Sequence, residues 1–292
     1  MANENKLLRE NGFKIVGKLV NAEVTIGTRK DGGQFVSTKA IVHSNIAGVL
    51  NEFEVSFYSN EKTVDGADNK LFATYSKLPE LLNKKIEING YISESRFWST
   101  KNEQMASAQV LNGKWVKGVV ETSADEATYT LGGFVAKEVV DKTNKAGEVY
   151  RHDLVIAQSN YGGDNLSMFT VHVKPEDREI LQGVKSYQAG NTVKIQGDLS
   201  FIVEEKVIEE QVGFGKPVLR KFTNITRGFY ITGGSNPISD ESSYDQVMIR
   251  TLIEAYKAAD VERMNNAQSN STAKTAVVNK PAQVTQRQTS LI

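Results

Sequence analysis

The chain has 292 residues, enough for two ordinary domains of about 100–150 residues each. Lys and Arg number 35, as do Asp and Glu, so a zero net charge speaks against a broadly cationic surface. Cysteine is absent, which excludes disulfides, thiolate metal sites and thiol nucleophiles together. The opening MANENKLLRE lacks the apolar core of a secretory signal, and no run reaches the roughly 18 apolar residues of a membrane helix. A soluble cytoplasmic protein with no membrane partner is expected.

Neutrality conceals an uneven tail. Residues 10–120 hold 14 basic and 12 acidic side chains, and residues 127–232 hold 13 of each. Residues 233–262 carry two basic and six acidic residues, whereas from Arg263 onward there are four basic residues and no acid. Any nucleic-acid site must therefore be a local patch on a balanced domain.

From Phe13 onward, FKIVGKLVNAEVTI, QFVSTKAIVH, EFEVSFYS and KIEINGYIS alternate apolar with polar residues, as half-buried strands do. RKDGGQ at 29–34 predicts a hairpin turn, because Asp-Gly-Gly supplies positive φ at little cost. LFATYSKLPELLNK carries a short helical pattern broken by Pro79. SESRFWSTK, residues 93–101, falls after the fourth strand as a polar connection with two adjacent rings.

After an acidic linker at 121–127 the pattern recurs: YTLGGFVAKEVV, EVYRHDLVIAQ, LSMFTVHV, a helical PEDREILQGVKSY, then NTVKIQGDLSFIV. Ile86–Ser93 (IEINGYIS) matches Val193–Ser200 (VKIQGDLS) in character at every position but one, and Phe53-x-Val55-x-Phe57 answers Phe169-x-Val171-x-Val173. These matches, in the same order around a helix, indicate a tandem duplication. Residues 10–120 and 128–232 are its two units, after an N-terminal arm at 1–9. Three strands, a helix, a strand with a central glycine and a fifth strand predict a mainly β protein of two tandem OB-fold barrels. Small five-stranded barrels of other topology share this pattern.

The segment 239–264 predicts a C-terminal helix with Tyr244, Met248, Leu252 and Tyr256 recurring every fourth residue and acids crowding its start. Such a stripe either packs on its own domain or joins subunits or a partner. Residues 265–292, rich in Asn, Gln, Ser, Thr and Ala, predict a disordered basic tail.

Over residues 10–232 the strand order, duplication and loop chemistry resemble the tandem OB-fold single-stranded DNA-binding proteins that bacteriophages encode. There is a broader likeness to bacterial SSB and to replication protein A. The terminal VTQRQTSLI departs from bacterial SSB, whose acidic tail ends in a hydrophobic tip. The resemblance implies a groove across strands two and three, flanked by the loops joining strands one to two and four to five.

Single-stranded DNA offers unpaired base faces and a phosphate backbone, so rings that stack and cations that track phosphate are the groups to seek. In the first unit these are Arg29 and Lys30 in the hairpin, Phe35 and Lys39 on strand two, and Tyr58 on the outward side of strand three. The 93–101 connection adds Arg96, Phe97, Trp98 and Lys101, and adjacency puts the two rings on opposite sides of a strand. The second unit offers Lys142 and Lys145 in its first turn and Tyr150, expected to share a face with His152. Its connection between strands four and five, VEEKVIEEQVGFGKPVLRKF, opens with four glutamates that repel phosphate. Lys216, Arg220 and Lys221 follow them, and Gly213-Phe214-Gly215 forms either a hairpin tip or a stacking wedge. Weaker binding or an assembly role is expected of that unit.

Catalytic patterns are missing. His43, His152 and His172 lie on strands without metal-ligand spacing, and GFGKP lacks the spacing and hydroxyl of a phosphate-binding loop. No enzyme activity, cofactor or metal is expected. The expected function is single-stranded DNA binding with little sequence preference during replication, recombination or repair. Replication proteins reached through the C-terminal helix or tail are further partners, and self-association is open. The alternative is a structural or assembly protein whose barrels make protein contacts only.

Overall fold

The computed structural model describes residues 7–160, 162–210 and 218–278. Five strands form the first barrel: β1 (Asn11–Thr28), β2 (Gln34–Ile46), β3 (Val49–Asn60), β4 (Lys85–Ser99) and β5 (Gln104–Gly118). Antiparallel ladders join β1 to β2, β2 to β3, β4 to β5 and β1 to β4. A short parallel contact, Val55↔Leu111 and Ser56↔Asn112, closes β3 onto β5. Helix α1 (Lys70–Ser76), capped by the Asn69 side chain, and a 3₁₀ turn at Leu78–Leu81 opened by Pro79 plug the barrel through Tyr75 and Leu78. On β2 the alternation holds: Val36, Thr38, Ala40 and Val42 are buried.

The second barrel repeats the order with β6 (Glu126–Thr143), β7 (Val149–Ser159), β8 (Leu166–Val173), helix α2 (Arg178–Lys185), β9 (Thr192–Glu210) and β10 (Val218–Gly234). It closes in the same way, with Tyr230 of β10 opposite His172 of β8 in parallel. This is the OB order twice, as the duplication predicts.

The repeated glycine has the same physical job in both copies. A Cβ on Gly90 would meet the Asn112 carbonyl oxygen at 2.0 Å and the Phe13 ring at 2.7 Å. One on Gly197 would meet the Tyr230 carbonyl oxygen at 2.0 Å and the Tyr129 ring at 2.7 Å. Phe13↔Gly90 and Tyr129↔Gly197 are directly paired residues, so each glycine makes room for a core ring where its strand bends.

The barrels are joined by pairing as well as by chain. Asn11–Val16 of β1 pairs with Leu131–Glu126 of β6, and the two cores merge through Phe53, Phe201, Phe229 and Tyr129, with centroid spacings of 5.1–5.7 Å. The acidic stretch 121–127, expected to be a linker, is pinned: Asp125 pairs with Lys85 at 2.6 Å, and β6 already begins at Glu126.

Helix α3 (Gln246–Val278) differs from the expected 239–264 at both ends. The acids precede it, and Asp245 caps it by accepting a hydrogen bond from the Met248 amide at 2.8 Å. It passes into the segment expected to be disordered because no glycine or proline interrupts 246–280. The rest of that tail lies outside the described residues, as do Gly213, Phe214, Gly215 and Lys216. The stripe packs on its own molecule: Tyr244, Ile249 and Leu252 are buried with Leu7, Phe134, Ala157 and Leu166.

Substituting alanine at Gly197 forces a methyl group into a backbone oxygen and is expected to cost about 1–3 kcal/mol. Gly183 in α2 has nothing within reach of an added Cβ, so Gly183→Ala is expected to stabilise by about 0.5–1 kcal/mol. Urea unfolding midpoints of the two variants check the opposite signs.

Candidate nucleic-acid interface

The distal half of β1 and the first half of β2 form a hairpin that carries its outer face beyond the barrel wall. There Phe35 and Tyr58 stack at 5.7 Å between centroids with an interplanar angle of 26°. Gly27, paired with Phe35, forms the floor: an added Cβ would lie 2.5 Å from the Phe35 ring. The missing side chain lets the ring lie flat on β1. Tyr58 is 58% exposed and its hydroxyl donates to Asn60 Oδ1 at 3.1 Å. Parity alone puts both rings on one face; that they touch is a finding of the structure.

Cations border this platform. Arg29 and Lys30 lie exposed in the turn above it, with Arg29 held by Asp31 at 2.7 Å. Lys39, exposed farther down β2, approaches Glu54 at 3.8 Å, a weak surface contact. Arg29, Lys30, Phe35, Lys39 and Tyr58 therefore share one surface.

The 93–101 segment is not a loop. β4 runs through Ser99 and pairs with β5 to Gln104, so the two strands extend as a hairpin whose turn carries exposed Lys101. The register sends this tip toward the start of β3, whereas Tyr58 lies near its end, so the two groups are separate. Phe97 is 48% exposed on one face and Trp98 half-buried on the other. Arg96 requires correction as a phosphate contact. Its side chain is 6% exposed, ion-paired with Asp260, hydrogen-bonded to the Tyr256 carbonyl at 3.0 Å and stacked 3.5 Å from the Tyr256 ring centroid. The Tyr256 hydroxyl in turn donates to Glu94 at 2.6 Å, so Glu94 and Arg96 clamp α3 to the hairpin.

In the second barrel Lys145 is exposed in the turn, and Lys142 leans toward Asp153 at 4.0 Å. Tyr150 is 52% exposed with the Arg151 guanidinium 5.5 Å from its ring centroid. His152 does not join it: irregular pairing of β6 with β7 buries the imidazole beside Asp141 at 2.7 Å. The corresponding face holds an internal ion network, with Asp153 between Arg151 at 2.9 Å and His172 at 2.8 Å. Burial and the Arg151 charge hold the His172 imidazole below its ordinary pKa against the opposing pull of Asp153. His43 of the first barrel sits 2.9 Å from Glu52.

Sequence reasoning missed Trp115, 59% exposed on β5. Its direction depends on a bulge at Lys114, between the Gly90↔Gly113 and Asn89↔Trp115 pairs, and the buried Tyr75 hydroxyl holds that bulge through the Lys114 carbonyl at 2.8 Å. Only the rarity of tryptophan marked it beforehand.

Two solved structures share this architecture, both of the single-stranded DNA-binding protein from Thermus aquaticus. An internal-deletion variant aligns with a TM-score of 0.51 at 11% identity over 80% of this chain and 97% of that one. The wild-type protein aligns with a TM-score of 0.50 at 10% identity over 82% and 98%. At such identities the likeness is one of fold alone: the chain has a mainly β fold like that of these proteins. The chain belongs to the YorF family, whose family model matches residues 10–269. Comparison with curated proteins finds no match.

Arg96→Met is expected to destabilise the protein by about 1.5–3 kcal/mol, the range for hydrogen bonds to charged groups, and to expose α3 to proteolysis. Unfolding midpoints together with limited digestion check this. A histidine held neutral in the fold stabilises it above the unfolded pKa of about 6.5 and loses that contribution as pH falls below it. His172→Gln is therefore expected to flatten the loss of stability between about pH 7.5 and about pH 5.5, read as the difference in urea midpoints.

Proposed function

We propose that the chain is a non-catalytic single-stranded DNA-binding protein that grips the strand on the outer face of its first barrel. The observation that carries this is the Phe35–Tyr58 stack, with half-buried Phe35 seated on Gly27 and Tyr58 exposed, between the Arg29–Lys30 turn and Lys39. Tyr58 turns most of its ring to solvent beside Phe35, and every base presents a face on which such rings stack, so little sequence preference follows. The likeness to a protein known for binding single-stranded DNA supports the same reading.

Protection of single strands during replication, recombination or repair fits this activity, in the cytoplasm of a host cell if the source is a bacteriophage. The second barrel contributes less, since its Lys142, Arg151 and His172 are turned to Asp153 and leave Lys145 of its first turn facing outward. The inward stripe of α3 is occupied by its own barrel, so a replication partner or second copy would meet its outward side or the tail.

Anisotropy titration of labelled oligo-dT tests the reading independently of tryptophan. Tyr58→Ala is expected to weaken binding by about 1–3 kcal/mol, and Lys39→Gln to reduce the log–log salt slope by about 0.7. Affinity indifferent to both salt and Tyr58 would leave the assembly-protein alternative standing.

A further inference from the structure

Where the barrels meet, β4 and β5 of the first face β7 and β8 of the second across a cleft of about 470 Å³. Its described lining has a composition unlike that of the chain as a whole. Arg9 and Lys114 contribute two cations, and among the described lining residues there is no carboxylate, although acids and bases balance overall. The remaining polar lining is amide and hydroxyl, including Ser93, Asn165 and Ser167, and exposed Tyr91 provides a ring at the mouth. Acids beside the lining in the chain are engaged: Glu94 by Tyr256 and the Met168 amide, Asp164 by Asn160, and Glu10 by Lys194.

The walls are built rather than incidental. The Asn11 amide accepts from the Ile92 amide and donates to the Ile92 carbonyl and to Gln158. Gln158 itself donates to the carbonyls of Glu10 and Gly132. These bonds tie β1, β4, β6 and β7 together, so the cleft keeps its width. Arg9 is oriented by a 3.1 Å hydrogen bond from its Nε to Ser159 Oγ.

The cleft is also in line with the proposed binding face. Cross-strand pairs Lys39↔Ser56, Ser56↔Asn112 and Asn112↔Tyr91 form a row of outward side chains perpendicular to the strands. At one strand spacing per step the row spans about 15 Å, from the foot of the Phe35–Tyr58 platform to the mouth of the cleft. Trp115 and Lys114 flank it on β5.

We propose that a single strand leaving the first barrel follows this row and places a nucleotide in the cleft. The base lies on Tyr91 against the hydroxyl and amide wall, and its phosphate sits at exposed Lys114. This rests on the reading of the first barrel as a single-stranded DNA-binding face. It makes the footprint of the protein longer than one barrel, although the second barrel's own outer face is occupied by ion pairs.

The test uses the full chain, with labelled oligo-dT of about 5 and about 20 nucleotides, near the lower end of and above the roughly 4–16 that one OB barrel covers. Tyr91 and Lys114 are exposed, so Tyr91→Ala and Lys114→Gln leave the core intact. Each is expected to weaken the long oligonucleotide by about tenfold, as loss of one stacking or phosphate contact does, while the short one changes less than about twofold. Tyr58→Ala is expected to weaken both lengths. Irradiation of the long oligonucleotide carrying 5-bromouracil is expected to crosslink the peptide that contains Tyr91. If the cleft variants leave both lengths unchanged, or weaken both equally with no Tyr91 adduct, the cleft assignment falls and the first-barrel reading survives. If the wild type binds neither length, the first-barrel reading fails and the cleft assignment goes with it.

Discussion

The pairing of Asn11–Val16 with Leu131–Glu126 governs the rest of the molecule. Phe13–Val16 of this segment also pair with β4, whereas the distal half of β1, from Lys18, pairs with β2. One strand thus belongs to both barrels and to the projecting hairpin. Because the shared segment lies on a merged aromatic core, sliding one barrel against the other would break a ladder and part the Phe53–Phe201 contact together. Neither could be regained from water at the same position, since a one-residue slip turns every side chain to the opposite face. The cleft and the row leading to it keep their alignment for that reason.

Local chemistry made much of this legible. Alternation separated the buried side of β2 from Phe35 and Lys39, and Asp-Gly-Gly marked the hairpin. The matched octapeptides pointed to Gly90 and Gly197, whose role depends on ring partners in the same register. Long-range contacts were not legible. Arg96 looks available in a polar stretch, but its partners Tyr256 and Asp260 lie 160 and 164 residues away on a helix that covers it. The extension of β4 to Ser99 depends on pairing with β5, which polar residues such as Ser95 and Ser99 do not announce. Trp115 follows a bulge, and a bulge resets the parity on which face assignment relies.

The two copies show how one fold carries different surfaces. The buried side must preserve the Phe13–Gly90 and Tyr129–Gly197 fits, so the repeats still match there. The outer side carries no such restriction. In the first barrel it holds a stacked pair of rings with cations around it. In the second, Arg151, Asp153 and His172 bond one another at 2.8–2.9 Å and present little net charge outward.

That division reconciles a neutral chain with the polyanionic ligand proposed for it. Most strongly bound cations here face acids of the same molecule: Lys14 with Glu126, Lys85 with Asp125, Lys194 with Glu10. Such pairs hold the barrels in place and add little long-range field, since opposite charges at contact cancel beyond a Debye length of about 8–10 Å. Electrostatic attraction is left to a few cations around the platform and cleft, which neutralise only a few phosphates. On the proposed reading, affinity comes largely from ring faces, whose contribution salt does not screen. A binding surface of this kind holds single strands, whose bases are exposed, and has little purchase on a duplex, whose bases are already stacked.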